Sequence, residues 1–128
     1  MKVHEILKTI ARKIYEKKGE DLIIIDVRER FPLADYFIIA SGTSERHINS
    51  LCLFIQEELS SLGKEPEGVE GYPESRWVLM DYGEVILHLF LPDLRRFYDL
   101  EGLWIDMPFL KYNPDEDEIV EVRRVRKK

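Results

Sequence analysis

Apolar residues at Val3, Ile6, Leu7, Ile10, Ala11 and Ile14 recur every three or four positions and predict an amphipathic first helix, with Gly19 placed to end it. Residues 22–27 follow as an apolar run broken only by Asp26, the pattern of a strand covered on both faces. Pro32 interrupts regular pairing, and residues 35–41 then form a second apolar strand that stops at Gly42. Thr43 and Ser44 offer capping hydroxyls, and Glu45 puts a negative charge in the first turn of the next helix. Ile48, Leu51, Cys52, Ile55, Leu59 and Leu62 make the apolar stripe of that second helix, which Gly63 ends. Pro66, Gly68, Gly71 and Pro73 break up residues 65–74, leaving loop with room for one short strand.

Residues 76–90 read as two strands around Asp81-Tyr82-Gly83-Glu84, a β-hairpin in which Gly83 supplies the reversal. With Tyr82 and Gly83 as a two-residue loop, Asp81 faces Glu84, Met80 faces Val85, Leu79 faces Ile86, Val78 faces Leu87 and Trp77 faces His88. Alternation sorts the side chains into two faces. Val78, Met80, Val85, Leu87 and Leu89 form an apolar face fit for a core. Trp77, Leu79, Asp81, Ile86, His88 and Phe90 form a mixed face, which suits either an interior layer or a binding surface.

Pro92 and Asp93 open a short third helix with Leu94, Phe97 and Tyr98 inward and Gly102 at its end. Residues 103–108 make an apolar closing segment packed on the sheet. From Lys111 the composition turns acidic (115–118) and then basic (123–128), while Ile119, Val120, Val122 and Val125 leave room for a terminal strand or helix. The order of elements predicts an α/β domain with a mixed sheet flanked by helices, the second helix serving as a crossover between parallel strands.

Composition narrows the classes. At 128 residues, 45% hydrophobic and 34% charged, the chain suits one ordinary globular domain rather than a disordered segment. A lone cysteine, no apolar run of spanning length and no signal-peptide pattern lead to the expectation of a cytoplasmic protein without membrane contact. A net charge of -6 disfavours broad phosphate contact and favours a basic partner. The basic end can touch nucleic acid or serve as a solvated counterweight to residues 115–118.

Three groups of residues carry candidate chemistry. The Ser41-Gly42-Thr43-Ser44 turn leads from a strand into a helix, where backbone amides can bind phosphate or simply be capped. The glycine-rich nucleotide signatures are missing. His4, His47, His88 and Cys52 lack metal-ligand spacing, and Cys52 lies on an apolar helix stripe. Asp81 and His88 share the mixed face but stand several residues apart, with no nucleophile or second carboxylate beside them. No metal or cofactor is implied.

Three segments, in this order, resemble the ribosomal silencing factor family, also called the Iojap family. They are Ala34-Asp35-Tyr36-Phe37-Ile38-Ile39-Ala40-Ser41-Gly42-Thr43-Ser44-Glu45-Arg46, Glu70-Gly71-Tyr72 with residues 76–90, and Arg95-Arg96-Phe97-Tyr98-Asp99-Leu100-Glu101-Gly102-Leu103-Trp104. The resemblance runs from the first helix to Pro108, and implies a domain over 1–108 followed by a charged extension over 109–128. It implies a nucleotidyltransferase-like topology without the catalytic carboxylates, and no enzymatic activity; a nucleotide-binding enzyme of that type is the alternative. It further implies binding to the large ribosomal subunit through its fourteenth protein, obstruction of small-subunit joining, and repression of translation when nutrients run short. Dimers are familiar in the family, and little direct contact with nucleic acid is implied. Carried onto this chain, the partner-binding residues are Trp77, Asp81, Tyr82 and His88, with Leu79, Ile86 and Phe90 as apolar neighbours. Gly83 and Trp104 are assigned to shape and packing, with Phe97 and Tyr98 behind the hairpin.

Overall fold

A computed structural model describes residues 1–124. The elements run α1 (Val3–Glu16), β1 (Glu20–Asp26), β2 (Tyr36–Ser41), α2 (Glu45–Ser61), β3 (Gly68–Glu70), β4 (Trp77–Asp81), β5 (Val85–Phe90), α3 (Pro92–Tyr98), α4 (Leu100–Leu103), β6 (Pro108–Asn113) and β7 (Glu118–Arg124). The strands form one mixed sheet in the order β3-β4-β5-β2-β1-β6-β7. Among the described residues β2 and β5 run parallel and every other neighbouring pair is antiparallel. The crossover between β2 and β5 passes through α2 and the β3–β4 edge, as a parallel pair requires a long connection.

The helical stripes do what their spacing predicts except at Leu62, which lies just past α2 and is exposed. Ile6, Leu7, Ile10, Ala11 and Ile14 of α1, and Ile48, Leu51, Cys52, Ile55 and Leu59 of α2, are buried on one face of the sheet. There they meet Ile24, Ile38, Ala40, Val78, Met80, Val85, Leu87 and Leu89. Each large aliphatic side chain so buried contributes about 1.5–3 kcal/mol, which makes this layer the main source of stability. Ser44 caps α2, its hydroxyl accepting from the His47 amide at 3.0 Å. At the end of α1 the left-handed residue is Lys18 (φ 66), not the expected Gly19. Gly19 is required for closeness instead: its amide donates to the Ile14 carbonyl, and a Cβ there would come within 2.5 Å of the Ile14 side chain.

The second face of the sheet has a thinner cover. Ile25, Phe37, Ile39 and Phe90 line it, and Leu94, Leu100, Trp104 and Met107 from the segment after β5 pack onto it. That segment differs from expectation. α3 ends at Tyr98, where Asp99 turns left-handed (φ 49), and Gly102 falls inside α4. Only Leu94 of the three residues expected inward joins the core, while Phe97 is 77% exposed and Tyr98 48%.

The charged segment after Pro108 enters the sheet: β6 pairs with β1, and β7 pairs with β6. Its acidic turn has a use. Asp117 accepts two hydrogen bonds from Arg12 of α1, at 2.9 and 3.0 Å, and one from the Tyr112 hydroxyl at 2.6 Å. Val125 and the end of the basic run lie outside the described residues.

Candidate functional site

The β4–β5 hairpin is built by its turn. The Asp81 carboxylate accepts from the Gly83 amide at 2.8 Å, Gly83 takes φ +85, and the Tyr82 amide donates to the Val85 carbonyl at 2.9 Å. The ladder therefore pairs Asp81 with Ile86, Leu79 with His88 and Trp77 with Phe90. This corrects the expected register, in which Asp81 faced Glu84 and Trp77 faced His88. The slip is two residues, so alternation is preserved and both faces keep their predicted members.

Tyr82 is the exception. It is fully buried in the helix-side core with Val78 and Met80, and burial pushes its phenol above the ordinary range. Its position places it on the face opposite Trp77, out of reach of a partner docking on the mixed face. A Tyr beside a turn glycine carries no sequence mark that separates an exposed loop residue from one folded back under the sheet.

On the mixed face Trp77 is the organising residue. Its indole stacks on Phe90 at 4.7 Å between ring centres and meets Tyr98 at 4.8 Å. Its Nε1–H donates to His88 Nδ1 at 3.2 Å. His88 lies edge-on to Phe37, and burial lowers its pKa to about 4, so the ring is neutral at physiological pH and Nδ1 stays an acceptor. The proton then resides on Nε2, which is buried and has no partner among the described residues.

These contacts divide the predicted partner-binding residues in two. Phe90 is fully buried and His88 is 5% exposed, so they form a floor that holds Trp77 rather than a surface. Trp77, Leu79, Asp81 and Ile86 are half-buried and lie where the second-face cover stops short of the β3 edge. Phe97, Tyr98, Leu103 and Ile105 extend exposed apolar surface onto the cover itself. Sequence reasoning missed this extension because Phe97 and Tyr98 fit an inward helical stripe. The inward position goes to Arg95 instead, whose guanidinium donates to Ser41 Oγ at 2.9 Å and to Glu101 at 2.8 Å.

The other candidate chemistry is absorbed into structure. The Ser41–Ser44 turn spends its groups locally: Ser41 accepts from Arg95, and the Thr43 amide donates to His47 Nδ1 at 2.9 Å. His47 Nε2 in turn donates to the Lys17 carbonyl at 2.9 Å, tying α1 to α2. Cys52 is buried and its thiol is pushed up to about 12, the wrong direction for a nucleophile. Asp81 shares a face with His88 but is turned to the Gly83 amide. Among the described residues no three or more His, Cys, Asp or Glu side chains converge on one point, and no helix is long and apolar enough to cross a membrane.

Comparisons with known proteins bear on the chain as a whole. A family model described as "Ribosomal silencing factor during starvation" matches residues 1–128. The ribosomal silencing factor RsfS of Bacillus subtilis is 36% identical over 108 residues, spanning 84% of this chain and 92% of the relative. A mouse protein named "Mitochondrial assembly of ribosomal large subunit protein 1" is 32% identical over 92 residues, 70% of this chain and 40% of that protein. The crystal structure of a Chromobacterium violaceum protein superposes with a TM-score of 0.79 at 36% identity, covering 81% of this chain and 87% of the other.

Proposed function

The chain belongs to the ribosomal silencing factor family, and from that membership we propose that it docks on the large ribosomal subunit through the open strip of β4 and β5. The partner in this reading is the subunit's fourteenth protein, and the bound factor blocks joining of the small subunit by occupying its place. Translation falls during starvation as a result, with no chemical step by the factor. It acts in the cytoplasm.

The observation that carries the reading is the state of Trp77. Its indole is half-exposed yet already fixed by Phe90, Tyr98 and the hydrogen bond to His88. A large aromatic held in its bound orientation loses little freedom on docking, which is the make-up of an interface hot spot. Leu79 and Ile86 supply apolar area around it, and Asp81 supplies charge. Ribosomal proteins are generally basic, so a net charge of -6 favours a protein partner over RNA.

The test is co-sedimentation with isolated large subunits, followed by addition of small subunits. The wild type should sediment with large subunits and lower the yield of joined ribosomes. Trp77→Ala should weaken binding by more than about 1 kcal/mol, roughly fivefold, with the fold intact. Wild-type affinity in that variant moves the site elsewhere on the molecule.

A further inference from the structure

The open strip does not end at β4. β3 pairs with it along the sheet edge, Gly68 opposite Asp81 and Glu70 opposite Leu79. Directly opposed residues in an antiparallel pair share a face, so Glu70 stands on the same side as Leu79 and Trp77. Glu70, Gly71, Trp77 and Leu79 line a cleft there of about 350 Å³. Glu70 is exposed, and its carboxylate makes no hydrogen bond or ion pair among the described residues.

The backbone brings these groups together with no slack. Gly71 takes φ +89, and a Cβ on it would overlap the Trp77 carbonyl oxygen. The chain thus turns against the backbone of Trp77 at a distance only glycine permits, which sets Glu70 beside the indole. One wall of the cleft is apolar, Leu79 and Trp77, and its mouth carries one unpaired carboxylate.

We propose that this cleft is a socket for one lysine or arginine side chain of the docked protein. The inference rests on the reading that the β4–β5 strip is the docking face. The aliphatic stem of the cation lies along Leu79 and the Trp77 ring, and its charged end pairs with Glu70. A lone surface carboxylate contributes little in water. Covered by a partner, the same pair becomes a charge-assisted hydrogen bond in a drier setting, where it is strong and selects for a cation. The alternative is that Glu70 only keeps an edge strand soluble, and that role needs no partner charge.

The experiment measures affinity for isolated large subunits by co-sedimentation at two salt concentrations. It compares the wild type, Glu70→Gln, Glu70→Lys, Trp77→Ala and a control, Glu57→Gln, on the exposed side of α2. Melting temperatures of the Glu57 and Glu70 variants should match that of the wild type, since both positions are exposed. The expected result is a loss of roughly tenfold for Glu70→Gln and a larger one for Glu70→Lys, with the difference shrinking at high salt. Glu57→Gln should bind as the wild type does. Glu70→Gln indistinguishable from Glu57→Gln, with Trp77→Ala still impaired, overturns the socket and leaves the docking face standing. Tighter binding by Glu70→Lys marks a phosphate surface and also overturns it. A wild type that does not sediment with large subunits sinks both readings together.

Discussion

Replacing His88 by asparagine should change how stability depends on pH, and the size of the change follows from burial. His88 is 5% exposed, and its pKa is lowered from 6.5 to about 4 by the loss of solvation for the charged ring. Between those two values the unfolded chain binds a proton at this position that the folded chain refuses. Stability therefore falls as pH is lowered through that window. At pH 5 the unfolded imidazole is almost fully protonated and the folded one about a tenth, which corresponds to about 2 kcal/mol lost relative to pH 8. The loss approaches about 3 kcal/mol below pH 4. Urea unfolding of wild type and His88→Asn at pH 8 and pH 5 isolates the contribution, because all other titrating groups are common to both. The wild type should lose about 2 kcal/mol more than the variant over this interval. Equal losses would mean that position 88 titrates alike in both states. The imidazole would then not be shielded from water as described, and the closed floor beneath Trp77 would be refuted.

Two further outcomes follow from buried and bridging groups. Tyr82→Phe removes a buried hydroxyl that has no hydrogen-bond partner; stability should be unchanged or higher by up to about 1 kcal/mol in urea unfolding, and large-subunit binding should not change. Asp117→Asn should cut the tie between the β6–β7 hairpin and α1, lowering the melting temperature and speeding amide exchange in β6 and β7. Hydrogen bonds from Arg12 and Tyr112 lower the Asp117 pKa to about 2. The wild-type tie is therefore fully present above the ordinary carboxylate pKa and is lost as pH falls from there through about 2, which exchange measured across acidic pH would show.

Much of the architecture was legible along the chain because burial imposes a period. The α1 and α2 stripes, the apolar runs of β1 and β2, and the two faces of the hairpin all follow from which positions must leave water. The division of the hairpin survived a two-residue error in register, since an even slip returns every side chain to its own face. Family membership was also readable, because its motif residues are local in sequence.

What alternation cannot express is depth and distance. It placed His88, Phe90 and Trp77 on one face, but only the packing of Phe37, Tyr98 and the cover decides that the first two are floor and the third is surface. Tyr82 looked like a turn residue until the fold put it in the core, and Phe97 looked like core until Arg95 took the inward position on α3. Glu70, in a stretch of glycines and prolines with no periodicity, acquired a face only when β3 paired with β4. A local pattern reports the side of an element that is shielded from water. How far the shield extends, and which group stands at its margin, is set by contacts between residues far apart in the chain, and that margin is where this protein presents Trp77.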